Sequence, residues 1–316
     1  MRALHRTRLP QLDGTQLLTD SGLETTLIFH EGLDLPAFAS YPLLATAEGR
    51  QVLRGYFERH LAIAADHGTG FLLESPTWRA SRDWGATLGH GPEHLAEMNR
   101  RAIQLMVELR DAATLAGPVV ISGNLGPRGD GYQADTAMSA EEAEAFHAEQ
   151  IGWLAATPVD MISAFTLSTV AEGTGVIRAA RAAGLPVVVS YTTETDGRLP
   201  DGTPLGAAIE RTDALTDGAA AYFMVNCAHP DHFRHSFETD ATWLSRIGGV
   251  RANASRQSHA ELDAATELDA GNPAELGRDY ARLQRMLPNL RVLGGCCGTD
   301  HRHVEAMADC CHRSAA

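Results

Sequence analysis

Residues 187–226 read VVVSYTTETDGRLPDGTPLGAAIERTDALTDGAAAYFMVN. The stretch opens on a short apolar run, Val187–Tyr191, and closes on another, Tyr222–Asn226. Between them Pro204–Asp217 carries a helical pattern, and Pro204 suits a first helical turn. Strand, helix, strand in that order implies two parallel strands joined by a right-handed crossover.

The same alternation extends in both directions. Further strand-like runs are Leu17–Asp20, Gly70–Ser75, Val119–Asn124, Asp160–Ala164, Gly248–Asn253 and Arg291–Gly295. Helical patterns fill the gaps: Glu48–His67, Pro92–Leu115, Ala140–Ala155, Val170–Ala183, Pro273–Leu287 and His301–His312. Thr46 is placed to cap the first of these, and Gly184 to end the fourth. About eight strands in 316 residues fit a closed (β/α)8 TIM barrel, which runs to about 250 residues or more as one domain. We therefore read residues 1–316 as a single barrel domain. No GxGxxG follows the first strand, which weakens a dinucleotide-binding alternative. No Pro- or Ser-rich linker divides the chain, and the polar segment Arg256–Gly271 is expected as a loop over the barrel mouth.

Composition narrows the function classes. Hydrophobic residues make up 44%, enough for a large core, yet no stretch approaches the roughly 20 apolar residues of a membrane span. Met1–Pro10 has no apolar segment of the secretory kind, so the expected location is cytoplasmic. The formal net charge of -14 argues against nucleic acid and anionic membranes as partners. It carries no reading of oligomeric state. All 26 basic residues are arginine, which excludes lysine Schiff-base chemistry and a P-loop lysine. The five cysteines are Cys227, Cys296, Cys297, Cys310 and Cys311. An odd number in a chain expected in the cytosol speaks against a disulfide framework.

Barrel active sites sit at the C-terminal ends of the strands, so strand ends matter most. The first ends at Asp20-Ser21-Gly22, the second at Glu74-Ser75-Pro76 and the third at Gly123-Asn124. The sixth ends at Asn226-Cys227, the seventh at Asn253 and the eighth at Gly295-Cys296-Cys297-Gly298. Barrel closure would bring Cys227, Cys296 and Cys297 to one rim. Three thiolates suit zinc, and three protein ligands leave a fourth position open for a substrate thiol, which zinc would deprotonate. The flanking glycines let the backbone turn two adjacent cysteines onto one ion. The competing reading, small buried apolar residues, suits a lone cysteine better than a Cys-Cys pair between glycines. Cys310 and Cys311, in the last helical pattern, are read as incidental. His229, His232 and His235 recur every third residue and are expected on a solvated helix face. His229 is close enough to Cys227 to support a ligand.

These motifs resemble the homocysteine S-methyltransferase family, whose members include S-methylmethionine- and betaine-dependent enzymes and the homocysteine module of cobalamin-dependent methionine synthase. The Gly294–Gly298 motif and Asn226-Cys227 carry the resemblance. Asp20–Leu23, Asn124–Pro127 and Asp201–Leu205 support it along the chain. The resemblance implies a zinc-held homocysteine thiol that attacks the methyl group of a sulfonium or ammonium donor and yields methionine. It also implies that Asp20 helps bind the amino-acid amine, in a pocket that includes Ser21, Asn124 and Asn226.

The chain departs from the family pattern at three strand ends. Phe165, followed by Thr166, stands where the family has a Glu-Thr pair whose Glu holds the homocysteine amine. Glu74 precedes Ser75-Pro76-Thr77-Trp78-Arg79-Ala80-Ser81, in place of a Thr-x-Thr-Tyr-Gln-Ala-Ser-like run, and Glu24 replaces a small residue. In one reading Glu74 or Glu24 takes over the amine contact and the thiol is still homocysteine. In the other, Phe165, Trp78 and Arg79 reshape the pocket for another thiol or donor. Trp78 would face a cationic donor, and Arg79 would favour a carboxylate. The remaining alternatives are a corrinoid protein supplying the methyl group in trans, a metal-dependent hydrolase or lyase, and a non-catalytic zinc- or thiol-binding relative.

Overall fold

A computed structural model describes residues 2–132 and 138–311. Its strands are β1 Leu17–Thr19, β2 Gly70–Glu74, β3 Val119–Leu125, β4 Met161–Leu167, β5 Val187–Tyr191, β6 Tyr222–Asn226, β7 Ile247–Ala252 and β8 Val292–Gly295. The helices from the N-terminus are α1 Leu23–Phe29, α2 Ala47–Asp66, α3 Arg82–Thr87, α4 Pro92–Ala112 and α5 Ala140–Ala155. They continue with α6 Val170–Ala182, α7 Leu205–Thr216, α8 Pro230–Phe233, α9 His259–Ala264, α10 Pro273–Met286 and α11 His301–Cys311. The expected end of the last helix, His312, lies outside the described residues.

All eight strands pair in parallel, in sequence order, and β8 returns to β1 to close the barrel. Leu17 is the register point of closure, opposite Gly70 on one side and Val292 on the other. Parallel strands covered on both faces need apolar side chains on both, which is why these segments read as apolar runs. The inward set, Leu17, Leu72, Val120, Met161, Val188, Tyr222 and Val292, packs into one cluster inside the barrel. The outward set packs against the helices in a second cluster, which includes Leu18, Phe71, Ile121, Val189 and Phe223. Each such side chain contributes roughly 1.5–3 kcal/mol on burial. Leu9 belongs to the inner cluster and plugs the N-terminal end. The Leu4 and His5 N–H groups donate to the buried Asp160 carboxylate, both at 2.7 Å, so this end is sealed rather than open.

Above the apolar layer the interior turns polar. Ser122 donates to Ser163 at 2.8 Å, and Ser163 donates to Glu74 Oε1 at 3.0 Å. Ser190 donates to Asn226 Oδ1 at 2.7 Å. Buried polar groups are costly unless paired, so this layer marks the point where the barrel stops being a core and becomes a site.

Several sequence expectations shift. Strand β4 runs to Leu167, with an irregular register between Ala164 and Leu167, so Phe165 and Thr166 lie within it. Pro204 is the N-cap of α7, one residue before its first turn, because its ψ of 138° is extended. Thr46 caps α2, accepting from the Gly49 N–H, and Gly184 follows α6 at φ 69°. His229 and His232 are buried, whereas His235 is exposed, so they do not form a solvated face. The chain there folds into short turns, with His229 capping α8 through Nδ1, and no stable helix arrays the three rings. Arg256–Gly271 does lie over the mouth, where it forms α9. Among the described residues, no helix is long and apolar enough to cross a membrane.

Candidate metal and substrate site

Cys227 follows β6, and Cys296 and Cys297 follow β8. Cys227 has φ 54°, a left-handed conformation uncommon for a residue with a side chain. Thr166, on β4, has φ 63°, rarer still for a β-branched residue. Asn226 ties these two points together. Its Oδ1 accepts from the Thr166 N–H at 2.9 Å, and its Nδ2 donates to Thr166 Oγ1 at 2.8 Å. The same Nδ2 lies 3.9 Å from Cys296 Sγ. Strain of this kind persists only where neighbours over-determine it, and it gathers at working sites.

The second pair of cysteines is set by close backbone approach. The Cys296 N–H donates to the Ala252 carbonyl at 2.8 Å, and the Cys297 carbonyl accepts from the Ala254 N–H at 3.1 Å. A Cβ on Gly22 would stand 2.5 Å from the Cys296 carbonyl oxygen, so only glycine admits the β8 turn against β1. The three cysteine sulfurs all lie within 4.8 Å of one another. Cys297 Sγ is 3.8 Å from Cys227 Sγ, and Tyr132 Oη donates to Cys227 Sγ at 3.3 Å. Cys227 and Cys296 are paired as a disulfide, a single bridge within the site and not the framework that the cysteine count speaks against. The pair is local to the site, because the other two cysteines sit apart in α11, Cys310 exposed and Cys311 in the core. Burial pushes the Cys297 thiol up to about 11. Among the described residues this is the one cluster of three or more metal-ligating side chains. Three soft sulfurs at this spacing fit a zinc-type ion and do not fit the hard cations that select oxygen ligands.

The sulfurs line a cavity of about 430 Å³ at the C-terminal mouth of the barrel. Every residue expected in the substrate pocket reaches it: Asp20, Ser21, Glu24, Glu74, Trp78, Asn124, Phe165 and Asn226. Their availability differs. Asp20 is buried and engaged: Oδ1 pairs with Arg251 Nη1 at 3.0 Å, and Oδ2 accepts from Tyr56 Oη at 3.0 Å. Ser21 is held between Tyr56 Oη, at 3.1 Å, and His60 Nε2, at 2.9 Å. Glu24, in the first turn of α1, accepts from Ser40 at 2.8 Å, and burial raises its carboxyl. Glu74 is the open acid. Only its Oε1 is bonded; Oε2 is buried without a partner, as is Asn124 Oδ1. Burial pushes Glu74 up to about 7, against the pull of the Arg251 charge. The His229 ring caps α8, its Nδ1 accepting from the Asp231 N–H at 3.1 Å.

Sequence reasoning missed Arg251, Tyr132 and His259. Arg251 points into the barrel from β7. Besides Asp20, it donates to the Gly295 carbonyl at 3.0 Å and the Ser21 carbonyl at 2.9 Å, and it lies 5.1 Å from the Phe165 ring centre. A charge inside an apolar strand run was the available signal. His259 stacks on Tyr132 at 4.1 Å and roofs the cavity from α9. Tyr132 follows β3 in a loop, with no periodicity to reveal it.

The sequence of the chain matches the model of the homocysteine S-methyltransferase family over residues 17–311. No curated protein sequence matches significantly. Among solved structures, the oxidized form of the homocysteine methyltransferase MmuM from Escherichia coli superposes with a TM-score of 0.74 at 20% identity, covering 93% of this chain and 95% of that one. The metallated form of the same enzyme gives 0.74 at 20% identity, covering 95% and 98%. The apo form gives 0.67 at 20% identity, covering 95% and 97%. At this identity the superpositions speak for the shared barrel, and the family match spans nearly the whole of it. The chain therefore belongs to the homocysteine S-methyltransferase family, and so to the transferases.

Proposed function

We propose that this protein transfers a methyl group from a sulfonium or ammonium donor to the sulfur of homocysteine, with zinc held by Cys227, Cys296 and Cys297. The observation that carries this reading is the convergence of three sulfurs on one cavity at the barrel mouth. The Cys227–Cys296 pair must be reduced first, because only thiolates ligate. Bound there, zinc would act as a Lewis acid that keeps a substrate sulfur deprotonated at neutral pH. The metallated form described for MmuM supports the metal assignment.

The chain's own residues do the rest. Asn226 holds Thr166 and Cys296 in place. Arg251 locks Asp20 and the ends of β1, β7 and β8 together beneath the sulfurs. Glu74 offers its unpartnered Oε2 to the amino-acid ammonium, a role that Asp20, already paired, is less free to play. The carboxylates of Glu24, Asp130 and Asp263 line the cavity and favour a cationic donor. His259 and Tyr132 cover the sulfurs and keep water from the transferred methyl group.

Metal analysis of the reduced full-length protein tests the site: about one zinc per chain is expected, lost on Cys297→Ser. Methyl transfer to homocysteine, measured against S-methylmethionine and glycine betaine, tests the reaction. A metal-free reduced chain, or no methyl transfer from any onium donor, would refute the assignment.

A further inference from the structure

Arg79 lines the same cavity, and the barrel makes almost no use of its charge. It sits in the turn after β2 and is nine-tenths buried. Among the described residues it has no carboxylate at ion-pair distance. Of the acids around it, Asp83 pairs with Arg128 and Glu149 with Arg82, while Asp130 and Glu24 act on it only through space, without forming an ion pair. Its Nε has no hydrogen-bond partner, and Nη1 makes one long bond, 3.4 Å, to the Gly129 carbonyl. The guanidinium rests against two indoles, 4.0 Å from the Trp78 ring centre and 3.4 Å from that of Trp84. Burial lowers it to about 10, so it remains a cation at neutral pH. Taking such a charge out of water without a partner is costly, and stacking on rings offsets only part of that. Held against two rings, a planar guanidinium still offers its N–H edge, which matches a carboxylate.

The surroundings say what kind of ligand brings that carboxylate. Besides the mutually compensated Asp20–Arg251 pair, the cavity carries Glu24, Glu74, Asp130 and Asp263. A simple anion would be repelled by these, and a simple cation would leave Arg79 uncompensated. A zwitterion with its charges apart satisfies both. We propose that Arg79 is the carboxylate anchor for the methyl donor, a zwitterionic sulfonium or ammonium acid whose cationic end faces the cavity's carboxylates. This rests on reading the cavity as the site of methyl transfer.

Calorimetric titration of the reduced full-length protein tests it. The probes are S-methylmethionine and glycine betaine, which carry a carboxylate, and trimethylsulfonium and tetramethylammonium, which do not. Homocysteine is titrated alongside. Arg79→Met keeps the packing volume and removes the charge. The expected result is a roughly 10- to 100-fold weaker Kd for the carboxylate-bearing onium probe, with the carboxylate-free probes changed less than about threefold. Without ligand, Arg79→Met should melt at or above the wild-type temperature, because an uncompensated buried charge is gone. A purely structural arginine would instead give a lower Tm with all affinities unchanged, which overturns the proposal. So would equal losses for both probe types, failure of both carboxylate-bearing probes to bind the wild type, or a loss confined to homocysteine. Should methyl transfer proceed while Arg79→Met leaves the KM of carboxylate donors unchanged, the anchor fails and the methyltransferase reading stands. Should the binding difference appear without methyl transfer from any donor, the anchor stands and the methyltransferase reading fails.

Discussion

Replacing Glu74 with glutamine should make the protein more stable at pH 8 and leave the comparison nearly flat below pH 4.5. The carboxyl ordinarily titrates near 4.5 and is held near 7 in the barrel, chiefly by burial. Arg251 on β7 pulls it down and Asp20 on β1 pushes it up, while Ser122 and Ser163 stabilise its charged form by hydrogen bonding. Below about pH 4.5 the group is protonated in both folded and unfolded chains, so it imposes no charge penalty. Between 4.5 and 7 the unfolded chain has released the proton and the barrel still holds it, so stability falls as pH rises. Above 7 the barrel carries a buried carboxylate, and the penalty levels off at roughly 3 kcal/mol, the free-energy equivalent of the difference between those values. Glutamine keeps the bond from Ser163 and has no charge to bury. Urea unfolding of reduced wild type and Glu74→Gln at several pH values between 4 and 8.5 measures this directly. The expected advantage of the variant grows by about 2–3 kcal/mol across that range. A difference that stays constant with pH would mean that Glu74 titrates normally and does not serve as the buried, half-satisfied acid described above.

Two further substitutions separate the working end of the barrel from the sealed end. Arg251→Met strands the Asp20 carboxylate without its cation, and urea unfolding at pH 7 should show a loss of about 3–5 kcal/mol. A loss under about 1 kcal/mol would show that the pair does not brace the mouth. Asp160→Ala removes the acceptor of three backbone N–H groups, those of Leu4, His5 and Ile121, and should cost about 2–4 kcal/mol. Because Asp160 seals the opposite end, methyl-transfer kinetics of the folded variant should match wild type. A changed KM would contradict that separation.

The barrel was legible because its strands are short apolar runs with both faces covered; Val187–Tyr191 and Tyr222–Asn226 fall where the sequence places them. The cysteine cluster was legible for a related reason, since strand-end residues meet once the strands close. What escaped depends on pairs that no local pattern records. Asp20 and Arg251 meet over the end of β8 although 230 residues lie between them in sequence. From the sequence, Asp20 looked like a free amine ligand and Arg251 like nothing in particular. The β4 irregularity lengthened that strand past Ala164, because Asn226 across the barrel supplies bonds that let Thr166 take a left-handed conformation. His229 and His232 were misjudged for the opposite reason: a threefold spacing suggests a helix face, but the chain turns before one can form. Glu74 was identified as an acid at a strand end, but its burial and its unpartnered oxygen follow from neighbours on β4 and β7.

The joint between β1 and β8 has a consequence for how the molecule is made. Cys227 arrives on the sixth strand, and its two companions arrive only after the eighth, 69 residues later in the case of Cys296. They are fixed by contacts to the first strand, through Gly22 and through the arginine that reaches the Ser21 and Gly295 carbonyls. During synthesis the chain therefore holds a solitary thiol while three-quarters of the barrel already exists. The cluster appears at the moment the circle shuts, when the most distant contacts in sequence are made, and such contacts are slow to form. Metal loading is thus coupled to the end of folding, and a chain that stalls one strand short has neither a closed wall nor a place for the ion.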